Sequence, residues 1–83
     1  MGNSQKKYYN YEEIEKHGSI NSSWIICNNK VYDITTYISV HPGGSNSIFK
    51  YSGTRHDCKD DLKKHSKMAN KLLDKYLIGY IKL

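Results

Sequence analysis

Four histidines occur in this 83-residue chain, and two of them stand where their neighbours make a rigid setting. His41 is followed by Pro42, Gly43 and Gly44; His65 comes 24 positions later, with Ser66 behind it. Pro42 pushes the residue before it out of the helical region, so His41 is predicted at an extended or turn corner. Gly43 and Gly44 carry no Cβ, which lets the chain turn sharply and lets a bulky group approach the bare backbone. His65 opens a second corner, because Ser66 is placed to cap a new helix. Two imidazoles arriving from opposite sides can ligate one iron axially, leaving the plane between them for a flat macrocycle.

The elements that must hold these corners can be read in order. Met1 to Lys7 is polar and is expected to be a flexible segment, with one domain over residues 8–83. Tyr8 and Tyr9 can begin an edge strand. Asn10-Tyr11-Glu12-Glu13 reads as a capping box, Glu13 reaching back, for a helix that carries Ile14 inward and ends at Gly18. Ser19 to Ser23 reads as a turn. Trp24-Ile25-Ile26-Cys27 and Lys30-Val31-Tyr32 flank Asn28-Asn29, the pattern of a β-hairpin. Asp33 can cap a short helix through Tyr37 and Ile38. Ser45 and Asn46 can cap a helix bearing Ile48, Phe49 and Tyr51, and Asp57 one that runs towards Leu62. Met68, Ala69, Leu72, Leu73 and Tyr76 then form a stripe at helical spacing. Leu77-Ile78 returns as a strand, with Gly79 expected to break it. Short helices between strands of a small sheet make an α+β domain.

Composition narrows the function. Apolar residues are 37% of the chain, so its own core is thin and an added apolar body bound to the folded state would stabilise it. The form without that body is expected to be loose. Cys27 and Cys58 make no disulfide framework, fit a reducing compartment, and offer no Cys-x-x-Cys-His for covalent haem attachment. The longest apolar runs are strand-sized, so no transmembrane anchor is expected, and Lys6 stands where a myristoylation signal needs Ser or Thr. The formal net charge is +5, but only Arg55 is an arginine and most tyrosines fall at strand or core positions. A solvated lysine face therefore explains the charge better than nucleic-acid binding.

Lys30-Val31-Tyr32-Asp33-Ile34 leading to His41-Pro42-Gly43-Gly44, then His65-Ser66, then Tyr76-Leu77-Ile78-Gly79, resembles a cytochrome b5 domain, with the match running from about Tyr8 to Ile81. The resemblance implies a small mixed sheet with two helical hairpins forming a haem cleft. It implies non-covalent haem b, with His41 and His65 as the iron ligands. Ile34, Tyr37, Ser47, Ile48 and Leu72 match positions that line the family's cleft, beside the Pro42-Gly43-Gly44 corner. Ser66 matches a serine that bonds a haem propionate and is also the cap of its own helix. Two departures stand out. Ser47 is smaller and more polar than the usual aliphatic residue, and the segment 53–64 lacks the aromatic expected before the second histidine. There, either Asp60 replaces the aromatic or Leu62 fills its place; Leu62 is favoured, because an unpaired buried carboxylate would be costly.

The function implied is electron transfer, not catalysis: a monomeric cytoplasmic carrier between a reductase and an oxidase, desaturase or hydroxylase as terminal acceptor. Animal members of the family often present an acidic ring around the haem edge. Here Ser45, Asn46, Lys50, Lys63 and Lys64 make the expected docking face neutral to basic, suited to acidic partners. One rival is a haem-binding regulatory module like the membrane-associated progesterone receptor proteins, which lack the paired histidines. Another is a zinc-stapled interaction domain using His56, Cys58 and His65, although this spacing fits no common zinc finger. Otherwise His17 and His56 are expected in solvent.

Overall fold

The computed structural model describes residues 6–40, 46–63 and 74–82, with the backbone alone at positions 46, 47, 62 and 63. Within them the order is β1 (Tyr8–Tyr9), α1 (Tyr11–Glu15), β2 (Gly18–Ser19), β3 (Ser22–Cys27), β4 (Lys30–Asp33), α2 (Thr35–Val40), α3 (Asn46–Phe49), α4 (Lys59–Lys63) and β5 (Leu77–Ile81). The strands form one sheet in the order β1-β5-β4-β3-β2. β1 runs parallel to β5, and the other neighbours are antiparallel. This is the expected α+β architecture.

The sheet grows from the β3–β4 hairpin. Asn28 and Asn29 both adopt positive φ, 56° and 61°, the twist a two-residue turn needs to keep its strands together. The resulting register sets Ile25 opposite Tyr32 and Ile26 opposite Val31, and alternate residues point to opposite faces. Two cores follow. On one face Ile25, Tyr32, Ile34, Ile38 and Cys58 are buried together. On the other are Ile14, Ile26, Val31 and Ile81, with Tyr9, Tyr11, Trp24 and Ile78 packed around them. Each fully buried isoleucine contributes about 1.5–3 kcal/mol.

Local signals place the short helices. Asn10 Oδ1 accepts the Glu13 N–H at 2.9 Å, capping α1 as expected. The Glu13 carboxylate turns forward instead of back: Oε2 lies 2.9 Å from His17 Nε2 and Oε1 3.7 Å from Lys16 Nζ. Asp33 Oδ1 accepts the Thr35 N–H and hydroxyl at 3.1 and 2.6 Å and starts α2.

Four further sequence expectations are corrected. The first helix ends at Glu15, and Gly18 opens a strand. The segment 19–23 is not a simple turn, because β2 and β3 pair as a hairpin around Ile20 and Asn21. His17 is half-buried, its Nδ1 2.6 Å from Ser22 Oγ and its ring stacked on Trp24 at 3.7 Å. A stacking partner and two polar partners hold it better than water would.

Gly79 lies inside β5, opposite Val31, and does not end the strand. A Cβ there would come within 2.6 Å of the Tyr9 ring and 2.7 Å of the Lys7 carbonyl oxygen, so β1 can lie across it only because the side chain is absent. Gly53 has φ +69°, and a Cβ on it would come within 2.6 Å of Gly18 Cα. Its N–H donates to the Trp24 carbonyl at 3.0 Å, so the turn after α3 rests directly on β3.

Candidate cofactor cleft

One face of the sheet carries Ile34, Tyr37 and Ile48, three of the residues that sequence placed around the cofactor. Ile34 ends fully buried at the start of α2, and Ile38, one turn on, is 6% exposed. Tyr37 and Ile48 are half-buried against the same cluster, together with Phe49, Tyr51 and Tyr76. The Tyr37 and Tyr76 rings meet edge to face at 6.1 Å. Thus Ile34, Tyr37 and Ile48 are brought together as one wall. His41, Pro42, Gly43, Gly44, His65, Ser66 and Leu72 lie outside the described residues, and Ser47 and Leu62 are described in backbone only.

Chain connectivity relates this wall to the two histidines. α2 is described to Val40, one residue before His41, and α4 to Lys63, two before His65. α2 packs through Ile34 and Ile38, and the approach to α4 packs through Cys58, which is 0% exposed in the same cluster. Cys58 N–H donates to the Ile26 carbonyl at 2.8 Å, and Asp57 forms a parallel bridge with Ile26. Both helices that lead to histidines are therefore rooted on one apolar face.

That face is suited to the apolar surface of a flat macrocycle. Burial pushes the Tyr32 phenol up to about 12, and burial, helped by Cys27, does the same for the Cys58 thiol, so both stay neutral. The wall offers aliphatic and aromatic surface with no ionised group among these side chains, while imidazoles are the donors haem iron takes. The residues present fit the group.

The polar groups lie beside the wall. Asp57 Oδ1 accepts from the Asn28 and Lys59 N–H groups at 2.8 and 2.9 Å, and Oδ2 from the Asn29 N–H at 2.9 Å. Burial would raise its carboxyl, but these amides outweigh that and hold it below its ordinary value. Sequence anticipated the cap on Lys59. It did not anticipate the two bonds across to the hairpin turn, which join residues 28 and 29 positions apart.

Asp61 accepts the Tyr51 hydroxyl at 3.0 Å and lies 2.6 Å from His56 Nε2; the bond to His56, then that from Tyr51, lowers its carboxyl. His56 is exposed as expected, yet it is paired with Asp61 and stacked on Tyr51 at 4.4 Å. Asp60 is exposed on α4, so no carboxylate is buried at that position. Lys50 and Lys59 are also exposed, Lys50 Nζ lying 5.1 Å from the Tyr51 ring centre. Among the described residues no three His, Cys, Asp or Glu side chains gather to hold a metal ion, and no helix is long and apolar enough to cross a membrane.

Comparison with known proteins bears on the same face. A nitrate reductase [NADH] of Brassica napus (clone PBNBR1412) is 44% identical over 78 residues, which is 93% of this chain but 8% of that protein. The chain thus spans a small part of that relative's length. The cytochrome b558 of Ectothiorhodospira vacuolata, described as a prokaryotic homologue of cytochrome b5, superposes with a TM-score of 0.77 at 28% identity, covering 92% of this chain and 99% of that one. The cytochrome b5 of Ostreococcus tauri virus 2 gives a TM-score of 0.72, also at 28% identity, over 89% and 95% of the two chains. The sequence model of the "Cytochrome b5-like Heme/Steroid binding domain" matches residues 10–82, and with the fold in agreement the chain belongs to the cytochrome b5 family as a b-type haem-binding domain.

Proposed function

We propose that this domain carries single electrons between a reductase and a terminal acceptor, with the haem iron held between His41 and His65. The observation that carries the reading is the shared root of α2 and α4 on one apolar face, each running within two residues of a histidine. The bound haem supplies a one-electron couple. Held by both His41 and His65, the iron would offer no position to O₂ or substrate, and the group would supply outer-sphere electron transfer.

The chain's own residues do the rest. The Pro42-Gly43-Gly44 corner fixes His41, while Ile34, Tyr37, Ser47, Ile48, Leu62 and Leu72 exclude water from the ring, and Ser66 bonds a propionate. Each ligand donates its other ring N–H to a backbone carbonyl, which sets its tautomer. The domain works as a monomer in the cytoplasm. Exposed Lys50 and Lys59 suit acidic redox partners, whose association slows with salt. The similarity to nitrate reductase supports service to a reductase-linked chain of redox centres.

A visible spectrum of the haem-loaded protein, oxidised and reduced, tests the reading. Sharp low-spin bands that shift on reduction and ignore carbon monoxide are expected, with His41→Ala or His65→Ala turning high-spin or colourless. A wild type that refuses haemin, or whose reduced form binds carbon monoxide readily, overturns it.

A further inference from the structure

α4 is described from Lys59 to Lys63, and the anchor at its start is unusually complete. Both oxygens of Asp57 are engaged, by the amides of Asn28 and Asn29 in the β3–β4 turn and by the Lys59 amide in the first turn of α4. The two turn residues hold positive φ, so their N–H groups are presented together. The same carboxylate thus belongs to the rigid sheet on one side and to the helix on the other.

Asn28 and Lys59 are exposed and Asp57 is half-buried. Water can therefore solvate the three amides if the carboxylate is removed, and the cost to global stability is modest. What water cannot replace is the link between turn and helix. We infer that Asp57 is a positioning residue for the second proposed ligand: it fixes the start of α4 on the β3–β4 turn and so keeps His65, eight residues on in sequence, on the iron. The inference rests on the proposed ligation by His41 and His65.

Carbon monoxide binding to the reduced, haem-loaded protein tests it, because carbon monoxide takes only a position that an axial ligand vacates. Wild type, Asp57→Asn, Asp57→Ala and Ile14→Val are compared, the last a destabilised control in the core on the opposite face. Asparagine keeps an acceptor for the Asn28 and Lys59 amides but presents an amide nitrogen to Asn29. A graded series is expected: wild type inert, Asp57→Asn slightly reactive, Asp57→Ala about tenfold faster than Asp57→Asn, and Ile14→Val inert. If Asp57→Ala fails to load haem, the comparison of Asp57→Asn with Ile14→Val decides. The inference is overturned if the Asp57 variants stay as inert as wild type, or if Ile14→Val reacts equally at matched loss of melting temperature. Carbon monoxide binding by wild type itself overturns the ligation reading and this inference with it.

Discussion

Gly79→Ala separates the two faces of the sheet. The added methyl would lie 2.6 and 3.0 Å from two carbons of the Tyr9 ring and 2.7 Å from the Lys7 carbonyl oxygen, where ordinary contact begins at about 3.5 Å. The ring can swing, but the carbonyl cannot move freely, since it accepts the Tyr80 N–H at 2.9 Å. Overpacking of this kind costs about 1–3 kcal/mol and a weakened backbone bond about 1 more. Partial loss of the Tyr9–Trp24 edge contact, now 4.9 Å between centroids, adds about 0.5 kcal/mol.

The φ of Gly79 lies outside the left-handed region, so alanine also gains roughly 0.4–1 kcal/mol by restricting the unfolded chain. The net is a loss of about 1.5–4 kcal/mol, which for a domain of this size lowers Tm by roughly 6–30 °C. Circular dichroism melts of the haem-loaded protein measure it, and the positions and sharpness of the visible bands at 20 °C, roughly room temperature, should not change. An unchanged Tm would refute the packing of β1 over Gly79. A shifted or high-spin spectrum in the folded variant would refute the independence of the two faces.

Three further outcomes are expected. A thiol reagent at neutral pH should modify Cys27, which is half-buried, and reach Cys58 only on unfolding; equal rates would contradict the fully buried Cys58. Asp57 and Asp61 are both held below the ordinary 3.8, so the unfolded chain binds more protons. Their stabilisation is full well above that value and drains as pH falls through it towards their folded values. An acid melt of Asp57→Asn should accordingly be flatter than that of wild type below about pH 4, and identical slopes would refute the amide cradle. Gly53→Ala meets both a positive φ and the Gly18 backbone, and should lower Tm by about 10 °C or more; a neutral result would contradict the close approach of β2 to this turn.

What the sequence disclosed follows from how local each cause is. The Asn28-Asn29 turn, the Asn10 cap and the Asp33 and Asp57 helix starts depend on residues a few positions apart, and all were legible. Gly79 was misread because a glycine weakens a strand locally, whereas its permission comes from Tyr9, 70 positions away in sequence and adjacent only in the sheet. His17 was misread likewise, since Trp24 and Ser22 reach it only once β2 and β3 pair. Ile34, Tyr37 and Ile48, which the motif named, pack against one apolar cluster. Cys58 belongs to that cluster too, but no local pattern marks one small thiol as part of an apolar face.

The parallel pairing of β1 with β5 has a last consequence. Tyr8 sits beside Tyr80 and Tyr9 beside Ile81, so Lys6 and Lys82 are offset by only about four residues along neighbouring strands, roughly 15 Å. The described chain thus enters this parallel pair at one end and leaves it at the other, on adjacent strands. A unit with that geometry can be spliced into a loop of a larger protein, or strung between two others, without stretching either neighbour. Such portability is in keeping with a homologous stretch that makes up 8% of a plant reductase.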